Sequence, residues 1–359
     1  MARETNPNAG SRGGGPQPAH HSQQTGEPDL APTNSNSKGR LPSERLSPYS
    51  TPSATRAVLE RHGLYTKYGL GQNFLVNDDV IRKILELAEV QACDHVLEVG
   101  PGIGTLTAAL LQRAGYVTSI EKDYDLPAVL ADTLTLWSDR FTLLNADALQ
   151  VGEGDLQGAA ERALPNKLVS NLPYAVAATV VLDYLQSFAF LESATVMVQK
   201  EVADRMTAKP GTKSYGAYTV KLSLFAQPAG RFAVAPGNFF PPPHVESAVL
   251  RLNRRIAHDA NGTELTSDEL AAACTMADAA FATRRKTLSN SCKTFFAGDS
   301  ALQARLPQLF EGADIDPRRR GETLNQQEFI QLGRALLSQT GCATGIGSLA
   351  QDKGPGRHG

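Results

Sequence analysis

Cysteine is scarce in this chain and forms no pattern. Cys93, Cys274, Cys292 and Cys342 fit no zinc-binding spacing, and no secretory signal precedes them, so neither a zinc site nor a disulfide framework is expected. Histidine is equally thin: His20 and His21 lie in a polar N-terminal stretch, while His62, His95, His244 and His258 stand alone, so no metal site is expected. No run approaches the roughly 18 apolar residues that a membrane-spanning helix needs, and the first residues lack the apolar core of a signal peptide. A cytoplasmic protein is the expectation. Net charge is nearly absent as well, at −2. The total hides an uneven distribution, however. Residues 199–255 hold nine basic side chains, among them Lys200, Arg205 and Lys213, against three acidic ones, and they follow a net acidic stretch. Binding to phosphates needs local positive potential rather than a high overall charge, so this segment is a candidate nucleic-acid surface.

Residues 1–50 are rich in Gly, Pro, Ser, Asn and Gln and poor in aliphatics. Such a segment buries too little surface to offset its ordering entropy, and it reads as a disordered tail, with residues 339–359 as a second. Between the tails, short strands alternate with helices. HVLEVG, YVTSIE, RFTLLNA, KLVSN and SATVMVQK read as strands, and TRAVLERH, DDVIRKILELAEV, TLTAALLQRAG, DLPAVLADTLTLW and residues 176–187 as helices. RFAVAP and ESAVLRL are two more β-rich runs, either side of a proline-rich FFPPPHV. That alternation predicts an α/β fold, a doubly wound, mostly parallel, Rossmann-like sheet over residues 51–256. After about Ser267 the strand signal ends, and residues 257–338 read as a small helical domain.

The first strand runs into EVGPGIGTLT, which places Gly100, Gly102 and Gly104 in a GxGxG register rather than the GxGxxG of dinucleotide-binding loops. A shorter loop, with carboxylates at Glu98, at Glu121 ending the second strand and at Asp147 after the third, suits a cofactor without phosphates. S-adenosylmethionine is one: it has a ribose diol for Glu121, an adenine amine near Asp147 and a cationic sulfonium. On the loop alone, NAD(P) and a purely structural turn stay open.

The strand KLVSN stops at SNLPYAV. Pro173 cannot donate to a ladder and biases Leu172 away from helix, so Asn171 and Tyr174 fall at the carboxyl edge of the sheet, where open α/β folds place ligands. Taken alone, the stretch is equally a turn in which Asn171 caps and Tyr174 packs. Read as a site, the Asn171 side-chain oxygen and the Leu172 carbonyl, fixed by Pro173, accept from an adenine amine, and Tyr174 offers a stacking face. Transfer to cytosine C5 is excluded, because no cysteine follows a proline to serve as nucleophile.

These stretches resemble a known family. From about Tyr68 to Arg334, GQNFLVN, LEVGPGIGTLT, IEKD, NADAL, SNLPY, QKEVADRMTAKPGTKSYG, FFPPPHVESAVLRL and FATRRKTLSN occur in the order found in the ribosomal RNA small-subunit adenine dimethyltransferases, whose loss gives kasugamycin resistance. The resemblance implies cofactor contacts from Asn73 and Leu75, from Gly100 with its neighbour Gly102, and from Glu121, Asp147 and Asn171. It also implies N6,N6-dimethylation of two adjacent adenines in the 3′-terminal hairpin of 16S rRNA, on a small-subunit precursor, by a monomer. Arg284, Arg285 and Lys286 of FATRRKTL are expected on one helix face, meeting RNA phosphates. Two departures stand out: Ala175 replaces the family's usual Asn, and Glu246 its usual Asp. Two alternatives remain: a large-subunit rRNA adenine methyltransferase of the macrolide-resistance type, which usually reads NIPY, and a non-catalytic assembly factor on the same fold.

Overall fold

The computed structural model describes residues 45–66, 72–160 and 163–340; most of both predicted tails lies outside the described residues. The chain enters through α1 (Pro52–Arg61), a two-residue strand β1 (Phe74–Leu75) and α2 (Asp78–Ala88). It then alternates through β2 (His95–Val99), α3 (Thr105–Leu111), β3 (Tyr116–Glu121), α4 (Leu126–Thr133), β4 (Phe141–Asn145) and α5 (Glu153–Ala160). β5 (Lys167–Asn171), α6 (Ala177–Ser187), β6 (Ser193–Gln199), α7 (Lys200–Met206) and α8 (Ala217–Phe225) continue the pattern. β7 (Ala226–Val234), β8 (Phe239–Phe240) and β9 (Ser247–Arg254) complete the sheets, and α9 (Ser267–Phe281), α10 (Leu288–Phe295), α11 (Ser300–Gly312) and α12 (Gln326–Thr340) follow.

The main sheet has seven strands in the order β4-β3-β2-β5-β6-β9-β7. β2 through β6 pair in parallel, whereas β9 runs antiparallel to both β6 and β7. Alternation along β2 shows why both faces are covered: Val96 joins the apolar layer beneath α2, α3 and α4, and Leu97 the layer beneath α5 and α6. The strand order reverses between β2 and β5, which opens a crevice at their carboxyl ends. α9 to α12 close around a separate apolar cluster centred on Met276, Leu306 and Phe329, to which Tyr215 and Val220 also contribute.

Several elements differ from the sequence reading. Residues 74–75, not among the strands expected from the sequence, pair with β8 in an antiparallel ladder. α5, α7 and α8 carry weaker patterns than their neighbours and were not foreseen. Arg284, Arg285 and Lys286 sit in a turn between α9 and α10, not on a helix face, because α9 ends at Phe281 and Thr287 caps the next helix.

The expected tail boundary at residue 50 also lies too far along the chain. Asp78 Oδ1 accepts from Leu46 N at 2.9 Å, Ser47 N at 3.1 Å and Ser50 Oγ at 3.3 Å. Tyr49 donates its hydroxyl to the Thr133 carbonyl at 2.7 Å, and Ser47 is fully buried. A single carboxylate that collects three donors makes a short polar segment worth ordering. Deleting residues 1–50 should lower the melting temperature by several degrees, at about 2–4 °C per kcal/mol for a chain of this size. Deletion of residues 1–44, which breaks none of these bonds, is the control. Equal melting temperatures in calorimetry would show that the docked segment contributes nothing.

Candidate active site

The crevice between β2 and β5 holds a cavity of about 530 Å³. Its lining includes Asn73, Leu75, Gly100, Gly102, Glu121, Asp147 and the whole run Asn171, Leu172, Pro173 and Tyr174. Every cofactor and catalytic position expected from the sequence therefore faces one space.

Two glycines shape its floor. Gly100 and Gly102 have φ of 72° and 60°, a region that side chains rarely enter. A Cβ on Gly100 would sit 3.1 Å from Pro173 Cγ and Cδ, and one on Gly102 3.0 Å from the Phe74 ring. The missing side chains thus let the loop after β2 touch both the turn after β5 and the short strand β1. The glycine loop and the Asn-Leu-Pro-Tyr turn are in contact through Gly100 and Pro173.

Carboxylates line the same space, and their environments differ. Glu98 is buried, accepts from Thr107 Oγ1 at 2.7 Å and Ser119 Oγ at 2.9 Å, and is pushed up to about 7, first by burial and further by Glu121. Burial also raises Glu121, whose oxygens take the backbone N–H of Gly102 at 3.3 Å and of Asp123 at 2.9 Å. Asp147 goes the other way: Lys122 Nζ at 2.7 Å holds it below the ordinary carboxylate range. Thr105 lines the cavity too, and its buried hydroxyl finds no partner among the described residues. Together these carboxylates and this hydroxyl fit a ligand with hydroxyls and positive charge.

At the far wall, Leu172 N donates to the Met197 carbonyl at 3.1 Å, and Val176 N closes the turn onto the Pro173 carbonyl at 3.2 Å. Asn171 Nδ2 donates to the Asn73 carbonyl at 3.2 Å. With its nitrogen engaged, the amide presents its oxygen as an acceptor. Tyr174 is half-buried, and its hydroxyl lies 2.7 Å from Ser247 Oγ. Burial raises its phenol, so the ring stays neutral.

A fold of this kind with an Asn-Leu-Pro-Tyr turn beside a glycine loop has known counterparts. The family model described as ribosomal RNA adenine dimethylase matches residues 64–332. The chain belongs to this family. Among the adenine dimethylases, the ribosomal RNA small subunit methyltransferase A of Enterococcus faecalis is 39% identical over 288 residues, spanning 80% of this chain and 96% of that protein. The protein of the same name from Staphylococcus aureus strain Newman is 37% identical and spans 79% of this chain and 94% of its own. Of solved structures, a dimethyladenosine transferase from Plasmodium falciparum shares the fold with a TM-score of 0.60 at 21% identity, over 75% of this chain and 98% of that one. The 23S rRNA methyltransferase ErmE follows with a TM-score of 0.52 at 25% identity, over 74% and 99%.

The basic residues of this dimethylase are scattered more widely than the cavity residues. Lys200 pairs with Glu246 at 2.6 Å, so the acid that departs from the family pattern has a local partner. Arg205 lies over the Tyr218 ring at 5.8 Å. Lys221, Arg231 and Arg251 pair with Asp278, Asp204 and Glu89, and Arg254 donates to the carbonyls of Leu191 and Phe188. Much of the positive segment is thus tied into the fold. A different cluster forms elsewhere. Arg284 donates to the Lys213 carbonyl, Leu288 N to the Arg319 carbonyl at 2.7 Å, and Gly211 N to the Glu322 carbonyl at 2.7 Å. Three distant stretches, around Lys213, Arg284–Lys286 and Arg318–Arg320, therefore lie side by side, with Arg284 and Arg320 paired to Glu322, Arg318 to Asp316 and Arg319 to Glu328. Sequence reasoning missed the third, although RRR was a visible signal; its net charge was diluted by the acids around it.

Proposed function

We propose that this protein uses S-adenosylmethionine to convert two adjacent adenosines in the 3′-terminal hairpin of 16S rRNA to N6,N6-dimethyladenosine. It acts as a cytoplasmic monomer on the small ribosomal subunit or its precursor. The observation that carries this reading is one cavity in which the glycine loop, the carboxylates of Glu98, Glu121, Asp123 and Asp147 and the Asn-Leu-Pro-Tyr turn meet.

In this reading Glu121 accepts from a ribose diol and Asp147 from an adenine amine, with Asn73, Leu75, Gly100, Gly102 and Asn171 completing the cofactor contacts. Bound S-adenosylmethionine supplies an electrophilic methyl group on a cationic sulfur. The chain's own residues do the rest. Asn171 Oδ1 and the Leu172 carbonyl accept from the target amine and favour a pyramidal nitrogen with a free lone pair. Tyr174 stacks on the base, a contact worth about 1–3 kcal/mol, which helps offset the few kcal/mol needed to unstack it. The amine is already neutral and loses its proton late, so catalysis is mainly positioning.

Incubation with S-adenosylmethionine and unmethylated small subunits, followed by mass spectrometry of nucleosides, should give dimethyladenosine in the small-subunit RNA. Modification of large-subunit RNA instead, or none, would sink the assignment.

RNA phosphates are met by Arg284, Arg285, Lys286 and Lys213, with Arg318–Arg320 extending the surface and Lys200 and Arg205 of α7 within the sheet domain. The helices over 257–338 form the RNA-facing region. Replacing Arg284, Arg285 and Lys286 together by alanine should flatten the plot of log K against log salt by about two to three units. An unchanged slope would mean that these side chains face solvent in the complex.

A further inference from the structure

Tyr174 stands on a turn, and the residue after it, Ala175, is exposed, so its own neighbours in sequence do little to hold its ring. What meets the ring's far end is Ser247 Oγ, 2.7 Å from the phenol oxygen. Ser247 is fully buried and is the first residue of β9. Its backbone is registered against Gln199 of β6 on one side and Val234 of β7 on the other. The position is thus held from two sides, and it ends in a hydroxyl against the catalytic turn.

The same stretch of chain braces Asn171. β8, a few residues upstream, pairs with β1, and the Asn73 carbonyl beside β1 takes the Asn171 amide. The Asn238 carbonyl and side chain add to this: Val76 N donates to the Asn238 carbonyl at 2.8 Å, and Asn77 Nδ2 to Asn238 Oδ1 at 2.8 Å. Tyr174 is therefore reached directly from Ser247, and Asn171 only through the segment around β1 that residues 238–240 hold.

We infer that Ser247 is a positioning residue, whose hydroxyl fixes the place of the Tyr174 ring before the target base arrives. The inference rests on the proposed adenine transfer for its kinetic consequence. A ring anchored at Cβ and at its para oxygen has little rotamer freedom left to lose when a base stacks on it, and that loss otherwise weighs against binding in the reactive pose. The phenol touches the ring's environment, not the reacting amine, so the hydroxyl acts through geometry.

Three variants test this: Ser247→Ala, Tyr174→Phe and the double variant. Each should lower kcat by roughly three- to tenfold, the worth of one ordinary hydrogen bond, with KM little changed. The losses should coincide rather than multiply, since all three break one bond. The double variant, which leaves no buried hydroxyl orphaned, should melt close to the wild type. A wild-type kcat in Ser247→Ala would overturn the inference, and so would a loss in Tyr174→Phe far beyond that of Ser247→Ala, which would put the hydroxyl on the substrate. One readout is independent of the reaction. In the protein alone, relaxation of an isotope-labelled Tyr174 ring should report an ordered ring in the wild type and a mobile one in Ser247→Ala. Equal mobility would overturn the positioning role even if the proposed transfer stands; inactivity of the wild type with the ring ordered would strike only the reaction.

Discussion

Asn171→Ala is expected to cut methyl transfer by about 10²–10³-fold, the usual cost of removing one preorganised polar group aimed at the reacting centre. The argument starts from the amide's two ends. Its nitrogen is engaged by the Asn73 carbonyl at 3.2 Å, which leaves the oxygen as the free acceptor at the cavity wall. The fold should survive the change, because β1 remains paired with β8 and Leu172 N keeps its bond to Met197. A loss of about 1 kcal/mol in stability is the scale for one long, partly exposed hydrogen bond. Cofactor affinity should fall less than the rate, since Asn171 is one contact among several. The second methylation is the more sensitive step. A once-methylated amine has a single hydrogen left, which must find an acceptor while the new methyl turns aside. Monomethyladenosine should therefore accumulate in the variant, whereas the wild type ends at the dimethyl product. Full dimethylation at the wild-type rate by Asn171→Ala would end this mechanism.

The cavity was readable from the sequence because its parts sit where secondary structure changes. Gly100 and Gly102, Glu121, Asp147 and Asn171 to Tyr174 all end a strand or open the next turn, and glycine, proline and carboxylates mark such places in a linear text. β1 was not readable: two residues carry no period, and Phe74–Leu75 becomes a strand only because β8, about 165 residues on, offers a partner. Ser247 was invisible for the same reason, since nothing near it in sequence announces a contact with Tyr174. The positive segment misled in part. Net charge over residues 199–255 could be counted, but Arg251 and Arg254 reach inward to backbone carbonyls, and Arg318, Arg319 and Arg320, which come to lie near Arg284, pair with Asp316, Glu328 and Glu322. Charge along a chain becomes charge on a surface only after folding decides which cations are already paired.

Glu98→Gln is expected to make the cofactor-free protein more stable above neutral pH, by up to about 3 kcal/mol. Burial raises this carboxyl from 4.5 to about 7, so between those values the folded chain holds a proton that the unfolded chain has released. The resulting stabilisation is fully present below pH 4.5, fades as pH climbs, and is gone above about 7, where the folded chain carries a buried, ionised carboxylate beside Glu121. Glutamine removes the titration. Both hydroxyl donors, Thr107 and Ser119, bond to the same oxygen, Oε2, so an amide oxygen placed there can accept from both. Thermal unfolding of the two proteins should nearly coincide at pH 5 and separate by several degrees at pH 8. Parallel curves at both pH values would show that Glu98 does not titrate in this range. The site gives a reason why a costly acid stands there: it lines the cavity with Glu121 and Asp147, and an ionised carboxylate favours a cationic ligand as an amide does not. Calorimetry should accordingly show the stabilised Glu98→Gln protein binding S-adenosylmethionine more weakly, and the wild type binding it more tightly as pH rises through about 7. A variant that gained stability and kept full affinity at pH 8 would place the Glu98 charge outside the cofactor's reach.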